Sequence, residues 1–150
     1  MKRAGFTIIE LMVVMLVIAI LVGVTIPRFK GMQDQANISK AEMELKTLQT
    51  AVESYYINQN PRAYPSSTET LASDYLVDAV PNIVSSVLYD PFRSGSVEYG
   101  YYRSDNGNYY VITSVGPDGA ADITGIDDTG ALTGTDDDDI YATNGVGFAP

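Results

Sequence analysis

The chain has 150 residues, a formal net charge of −10, and neither cysteine nor histidine. Its length suits one modest domain with an extension, and the missing residue types exclude disulfides, thiolate or imidazole metal sites and the common catalytic triads. These absences weigh against an enzyme, and the acidic balance argues against a nucleic-acid partner, because little basic charge is available to neutralise phosphates.

The N-terminal segment is a membrane-length apolar run that carries one carboxylate. Residues 6–26 are uncharged apart from Glu10 and would span roughly 30 Å as a helix, which matches a bilayer core. Lys2 and Arg3 precede the run and predict a cytoplasmic N-terminus. A secretory signal peptide needs a small-x-small cleavage site after the apolar region, and residues 23–27 provide a poor one.

Glu10 needs an explanation that a simple membrane anchor does not give. A carboxylate inside an apolar span costs about 2.5–3.5 kcal/mol on insertion scales and is normally retained only with a partner. No basic residue lies within the run. Cleavage after Gly5 would create a new amine on Phe6, which a neighbouring copy in a staggered helix bundle could offer to Glu10. The pattern therefore suggests that Glu10 acts in subunit assembly.

The stretch from Lys2 to Leu11 resembles the class III leader of type IV pilins and type II secretion pseudopilins. That leader has a glycine, then a hydrophobic residue, a threonine, and a glutamate four positions after the hydrophobic residue. The resemblance implies that a prepilin peptidase cuts after Gly5 and methylates the new terminus at Phe6. It also implies that Glu10 pairs with the amine of a neighbouring subunit during filament assembly.

An amphipathic helix is predicted after the apolar run. Pro27 and Gly31 are expected to bend or loosen the chain at the membrane exit. Apolar residues then recur at spacings of three and four, which predicts a helix with one buried stripe, while charged residues such as Glu44 and Glu53 face water. Asn60-Pro61 ends the helix. The stripe consists of Ile38, Ala41, Leu45, Leu48, Val52 and Tyr55.

Residues 61–150 are expected to form a small globular head. Ser66 and Glu69 have capping-box spacing and predict a short helix that extends to about Tyr75. Alternating apolar residues between positions 96 and 114, on either side of the Asp105-Asn106-Gly107 turn, predict a β-hairpin.

Three further motifs extend the resemblance to the major pseudopilin of type II secretion over nearly the whole chain. They are Tyr64-Pro65 after the helix, Asp90-Pro91-Phe92 before the hairpin, and residues 114–119 near the end. The family usually has tryptophan where Phe92 stands. The implied fold is α+β and type IV pilin-like: a long N-terminal α-helix packed on a small C-terminal antiparallel β-sheet with a calcium-binding loop.

The predicted organisation has four parts. Residues 1–5 are the class III leader peptide, and residues 6–30 are the transmembrane or filament-core half of the helix. Residues 31–60 are its amphipathic half, and residues 61–150 are a periplasmic head with a hairpin and an acidic loop.

The acidic loop is the candidate metal site. Eight of the 19 acidic residues lie between Asp118 and Asp139, in a region expected to be too poor in apolar residues to pack by itself. Calcium takes about six to eight oxygen ligands, and a glycine-rich turn followed by an aspartate cluster can supply them from two ends of one loop. The spacing is not that of an EF-hand.

The resemblance implies a specific set of calcium (Ca2+) ligands. An apparent insertion at residues 120–135, which carries three more aspartates, leaves the register open. Asp137 is therefore an alternative to Asp138, and a second ion within the insertion or a solvated loop without an ion are further alternatives. The implied ligands are the carboxylates of Asp118, Asp138 and Asp139, the hydroxyl of Ser114 and the carbonyl of Val115.

The function implied by the resemblance is a structural subunit of a type II secretion pseudopilus, with no enzymatic activity. Its implied partners are further copies in a helical homopolymer, minor pseudopilins, the prepilin peptidase, the inner-membrane assembly platform and, before assembly, membrane lipid. The expected location is the bacterial inner membrane, crossed once, with the head in the periplasm. Two alternatives are a type IV pilin for adhesion, motility or DNA uptake, and a membrane-anchored calcium-binding module that never polymerises.

Overall fold

The computed structural model describes residues 5–67, 70–77, 79, 83–135 and 137–148, without the side chains of residues 25–28. It divides into two compact units, residues 1–36 and 37–150. The elements in chain order are helix α1 (Ile8–Asn58), a π-helical turn (Ala72–Val77) and the strands β1 (Gly100–Arg103), β2 (Tyr110–Ser114), β3 (Ile123–Ile126), β4 (Leu132–Gly134) and β5 (Ile140–Thr143).

The first unit contains the apolar part of α1. The helix is continuous through Pro27 and Gly31, so neither residue ends it. The large apolar side chains of this unit, from Phe6 to Val24, are between 47% and 86% exposed. Among the described residues, α1 is the one helix long and apolar enough to cross a membrane, as judged by length and composition. This unit therefore presents an apolar surface that nothing within the described chain covers.

The second unit is built around the buried stripe of α1. Ala41, Leu45, Leu48 and Val52 are 0–1% exposed, and Tyr55 is half-buried, which confirms the predicted amphipathic helix. Each fully buried leucine removes enough apolar surface from water to contribute about 1.5–3 kcal/mol. The same core contains Tyr99, which directly precedes β1, and the sheet residues Tyr101, Tyr110 and Ile112.

Two α1 carboxylates expected to face water instead accept hydrogen bonds from tyrosines directly before β1 and in β2. The Tyr99 hydroxyl donates to Glu44 Oε2 (2.6 Å), and the Tyr110 hydroxyl donates to Glu53 Oε1 (2.8 Å). Burial, followed by these carboxylates, raises the pKa of both tyrosines. The expectation that Glu44 and Glu53 face water was therefore wrong, because a buried tyrosine hydroxyl requires an acceptor.

The sheet has the strand order β1-β2-β5, and both of its pairings are antiparallel. Gly100 lies opposite Thr113 and Arg103 opposite Tyr110, which confirms the predicted hairpin. β5 pairs with the other edge of β2, so β2 is the central strand, and all five of its residues are buried. A long helix and a small antiparallel sheet give the α+β class predicted from the sequence.

The acidic region, residues 118–139, contains two β-strands. β3 and β4 form an antiparallel hairpin whose register is irregular between Ile123 and Gly125. Ile123, Ile126 and Leu132 are buried against Val111 of β2. The expectation that this region could not pack itself was therefore wrong. Three apolar residues are enough to pack the β3–β4 hairpin, because the central strand β2 provides a second apolar face for them.

The short helical element begins later than predicted. It is a π-helical turn, Ala72–Val77, and Glu69 of the expected capping box lies outside the described residues. The carboxylate of Glu98, which is 8% exposed, accepts hydrogen bonds from the backbone N–H groups of Ala72 (2.8 Å) and Ser73 (3.3 Å). A distant carboxylate therefore caps this turn, and a local sequence pattern could not identify it.

Candidate functional site

The candidate metal centre begins at the end of β2, where Asp90 fixes the chain. Ser114 Oγ donates to Asp90 Oδ1 (2.8 Å), and the Val115 backbone N–H donates to Asp90 Oδ2 (3.0 Å). Asp90 itself is 3% exposed. The hydroxyl hydrogen of Ser114 is thus directed to Asp90. The lone pairs of Ser114 Oγ therefore remain available to bind a cation. The ligand roles of the Ser114 hydroxyl and the Val115 carbonyl stay predictions.

A glycine turn then brings the two ends of the acidic region together. Gly116 has a φ of +66°, and a Cβ at this position would overlap the backbone carbonyl of Asp138. Only glycine accepts both the left-handed backbone and this close approach. The Asp118 backbone N–H also donates to Asp138 Oδ2 (2.9 Å). The glycine therefore lets residues 20 positions apart share one site.

Three carboxylates meet at this point. One oxygen from each of Asp118, Asp122 and Asp138 lies within 4.8 Å of the other two. Asp139 lies beside them, and its Oδ2 accepts the backbone N–H groups of Asp122 (2.9 Å) and Ile123 (2.8 Å). Two predicted ligands, Asp118 and Asp138, are thus brought together, whereas the predicted ligand Asp139 is not one of the three. The alternative ligand Asp137 is exposed and is not in this group.

Three carboxylate oxygens at the site receive no hydrogen bond from the residues that the structure describes. Asp122 Oδ2, Asp138 Oδ1 and Asp139 Oδ1 are buried and have no partner in the described part of the chain. A buried, charged oxygen without a donor is unfavourable. Because all available ligands are oxygens, the site suits a hard cation such as calcium.

The electrostatics of the site also favour a cation. Burial and the neighbouring Asp139 raise the pKa of Asp122. Burial raises the pKa of Asp139 as well, although the backbone N–H groups of Ile123 and Asp122 act in the opposite direction. A raised carboxyl pKa means that the folded chain disfavours the charged form. A divalent cation among these groups would reverse that preference.

The other two aspartates of the insertion have structural partners. Asp127 Oδ1 accepts the Thr129 N–H (2.8 Å), the Thr129 hydroxyl (2.7 Å) and the Ala131 N–H (3.0 Å). Asp128 Oδ1 accepts the Asn106 N–H (2.8 Å). Asp127 and Asp128 thus hold turns. Within the described ranges, no second group of acidic residues that could bind a metal ion is found. Asp122 is the aspartate of the insertion that joins the site.

The second candidate functional segment lies at the start of α1. Gly5 and Phe6 are exposed and precede the helix, whereas residues 1–4 of the predicted leader lie outside the described residues. The Thr7 backbone N–H and hydroxyl both donate to Glu10 Oε2 (2.9 and 2.8 Å), and the Glu10 N–H donates to Thr7 Oγ1 (3.3 Å). This reciprocal capping box satisfies Glu10 within one chain.

The capping box and Asp122 were both missed in the sequence reasoning. A threonine three residues before a glutamate at a helix start is a recognised pattern, so Thr7 could have been identified. Asp122 offered no comparable pattern, because its role depends on how the β3–β4 hairpin folds back.

Comparison with known proteins identifies related chains. Residues 1–26 match the prokaryotic N-terminal methylation motif, and residues 28–131 match the family model of type II secretion system (T2SS) protein G. Type II secretion system core protein G of Escherichia coli K12 is 28% identical over 141 residues, which cover 91% of this chain and 89% of that protein. Its counterpart from Aeromonas hydrophila is 31% identical over 140 residues, with coverages of 91% and 90%.

Another relative, matched over a shorter part of the chain, is a pilin. Type IV major pilin protein PilE1 of Neisseria gonorrhoeae is 35% identical over 74 residues, which cover 48% of this chain and 35% of that protein. No solved structure matches the chain significantly.

Proposed function

Because the chain belongs to the type II secretion system protein G family, we propose that it is cleaved after Gly5, methylated on Phe6, and polymerised through its N-terminal helix into a pseudopilus that drives protein export. Members of this family are structural pseudopilin subunits, not enzymes. The match of residues 1–26 to an N-terminal methylation motif supports the proposed processing.

The observation that carries the polymerisation proposal is the uncovered apolar surface of residues 6–24. Lipid covers such a surface before assembly, and the helices of neighbouring subunits cover it afterwards. Head-to-tail contacts that do not close into a ring produce a helical filament. The same helix therefore serves first as a membrane anchor and then as the core of the fibre.

Glu10 supplies the specificity of this assembly. Among the described residues of the single chain, its carboxylate accepts hydrogen bonds from the backbone N–H and the hydroxyl of Thr7. The proposed cleavage gives each subunit a positively charged terminus at Phe6, and a neighbour's amine then forms a stronger, charge-assisted partner for Glu10. An apolar environment favours this pairing because an unpaired ion there is costly.

We also propose that calcium (Ca2+) stabilises the head. The carboxylates of Asp118, Asp138 and Asp139, with the Ser114 hydroxyl and the Val115 carbonyl, would hold it. The buried oxygens without donors support this fit. A bound cation supplies the positive charge that these groups lack, and it ties the end of β2 to the start of β5.

The proposed location is the bacterial inner membrane, with the head in the periplasm. The proposed partners are other copies of the chain, minor pseudopilins, the prepilin peptidase and the assembly platform. The partial likeness to a gonococcal pilin makes a surface pilus subunit the second candidate.

The processing proposal is tested by the intact mass of the native protein. Loss of residues 1–5 with the gain of one methyl group is expected for the wild type. Gly5→Leu should retain the leader. Gly23→Leu is the matched control, because neither glycine has a neighbour that a Cβ would meet, and it should be processed normally. A wild-type chain that retains Met1 in its host would contradict the proposal.

A further inference from the structure

The β3–β4 hairpin contributes to the candidate metal centre through a residue that the resemblance does not imply. We propose that Asp122 is a further carboxylate ligand of the calcium ion, an inference that rests on the calcium site proposed above. The hairpin is then part of the metal centre and not a passive insertion beside it.

The backbone of Asp122 is fixed from two sides. Its N–H donates to Asp139 Oδ2 (2.9 Å), and its carbonyl accepts the Thr135 N–H (3.0 Å). Gly134, with a φ of +120°, packs so closely against this carbonyl that a Cβ there would overlap it. The side chain is therefore presented from a rigid base, as a metal ligand needs to be.

The carboxylate of Asp122 is directed at the other ligands. One of its oxygens lies within 4.8 Å of a carboxylate oxygen from both Asp118 and Asp138. Its Oδ2 is buried and receives no hydrogen bond from the described residues. Two of the three converging carboxylates, those of Asp122 and Asp138, thus carry a buried oxygen that receives no hydrogen bond from the described residues, and a cation between them would compensate this buried charge.

The other aspartates of the hairpin serve as an internal comparison. Asp127 and Asp128 belong to the same insertion, but both accept hydrogen bonds that hold turns. These two hairpin aspartates therefore have hydrogen-bond donors, whereas Asp122 Oδ2 has none among the described residues.

An additional ligand from Asp122 changes the chemistry of the centre. The implied set supplies five protein oxygens, from Ser114, Val115, Asp118, Asp138 and Asp139, and Asp122 raises the number to the lower end of the range of about six to eight that calcium takes. A fourth carboxylate also adds negative charge, which strengthens calcium binding. The ion would then join β2, the base of the hairpin and β5 in one structure.

Calcium titration by isothermal calorimetry, with the full chain in detergent micelles, tests this role. Asp122→Asn keeps the shape and removes the charge, and we expect it to weaken calcium binding by about tenfold or more. Asp128→Asn is the matched control, because it removes one charge from the same hairpin while its amide oxygen can still accept the Asn106 N–H. The control should bind calcium like the wild type.

Thermal unfolding distinguishes a ligand from a structural residue. In a chelator, Asp122→Asn should melt at or above the wild-type temperature, because one of the crowded negative charges is gone, and added calcium should raise its Tm less than that of the wild type. An unchanged calcium affinity, or a lowered Tm in chelator, would overturn the assignment. A wild-type chain that binds no calcium would instead refute the calcium site itself.

Discussion

A Glu10→Ala chain is expected to lose the ladder of crosslinked oligomers that the wild type forms in cells. The physical reason is that the variant lacks the carboxylate proposed to pair with the amine of a neighbour inside an apolar filament core. An unpaired charge in such surroundings costs about 2.5–3.5 kcal/mol or more, so each subunit contact formed by the wild type recovers a substantial free energy. Formaldehyde crosslinking followed by immunoblotting measures the ladder.

Two control variants separate pairing between subunits from effects within one chain. Glu42→Ala removes an exposed carboxylate from the amphipathic half of the same helix and should leave the ladder intact. Thr7→Val removes the capping hydroxyl but keeps Glu10 charged, so its ladder should persist. If Glu10→Ala formed a normal ladder, or if Thr7→Val lost it to the same extent, pairing between subunits would be refuted.

Removal of calcium is expected to lower the melting temperature of the head substantially. A ligand at about a thousand times its Kd stabilises the folded state by about 4 kcal/mol. For a chain of this size, such a loss corresponds to a fall in Tm of about 10 °C or more. Circular dichroism of the full chain in micelles, with excess chelator against millimolar calcium, measures the difference.

The calcium effect should depend on the carboxylates at the site and on the size of the ion. Asp118→Ala should abolish most of the calcium-dependent gain in Tm, whereas Asp105→Asn, on the turn between β1 and β2, should keep it. Magnesium should substitute poorly, because it demands a tighter octahedral shell and retains its waters. A Tm that is the same in chelator and in calcium would contradict the proposed metal site.

The amino-acid sequence was sufficient to predict those parts of the fold that depend on local patterns. Leu45 and Leu48 lie on a stripe with helical period, and alternation around the turn at Gly107 predicted the β1–β2 hairpin. In both cases, the residues that decide the structure are neighbours along the chain or the sheet. The membrane-length run was equally visible, because length and apolar composition are sufficient to define it.

The remaining features depend on contacts between distant residues. Ile123 and Leu132 are too isolated in an acidic stretch to predict strands, and they form strands because Val111 presents a second apolar face. Glu53 lies at a polar position on the helix, but the hydroxyl of Tyr110 reaches it across the core.

The arrangement of the candidate metal site could be predicted only in part, for the same reason. Resemblance implied Asp118 and Asp138 as ligands, with Asp137 as an alternative to Asp138, and the structure brings the carboxylates of Asp118 and Asp138 together. Asp122 could not be assigned, because its place at the site is created by the hairpin and by its hydrogen bond to Asp139.

The function itself is tested most directly by deleting the gene in the bacterium that encodes it and measuring the proteins released into the culture medium. Loss of secreted proteins with surface pili unaffected is predicted, and the wild-type gene should restore secretion whereas Glu10→Ala should not. Normal secretion after deletion, or loss of surface pili with secretion intact, would contradict a role as a pseudopilus subunit.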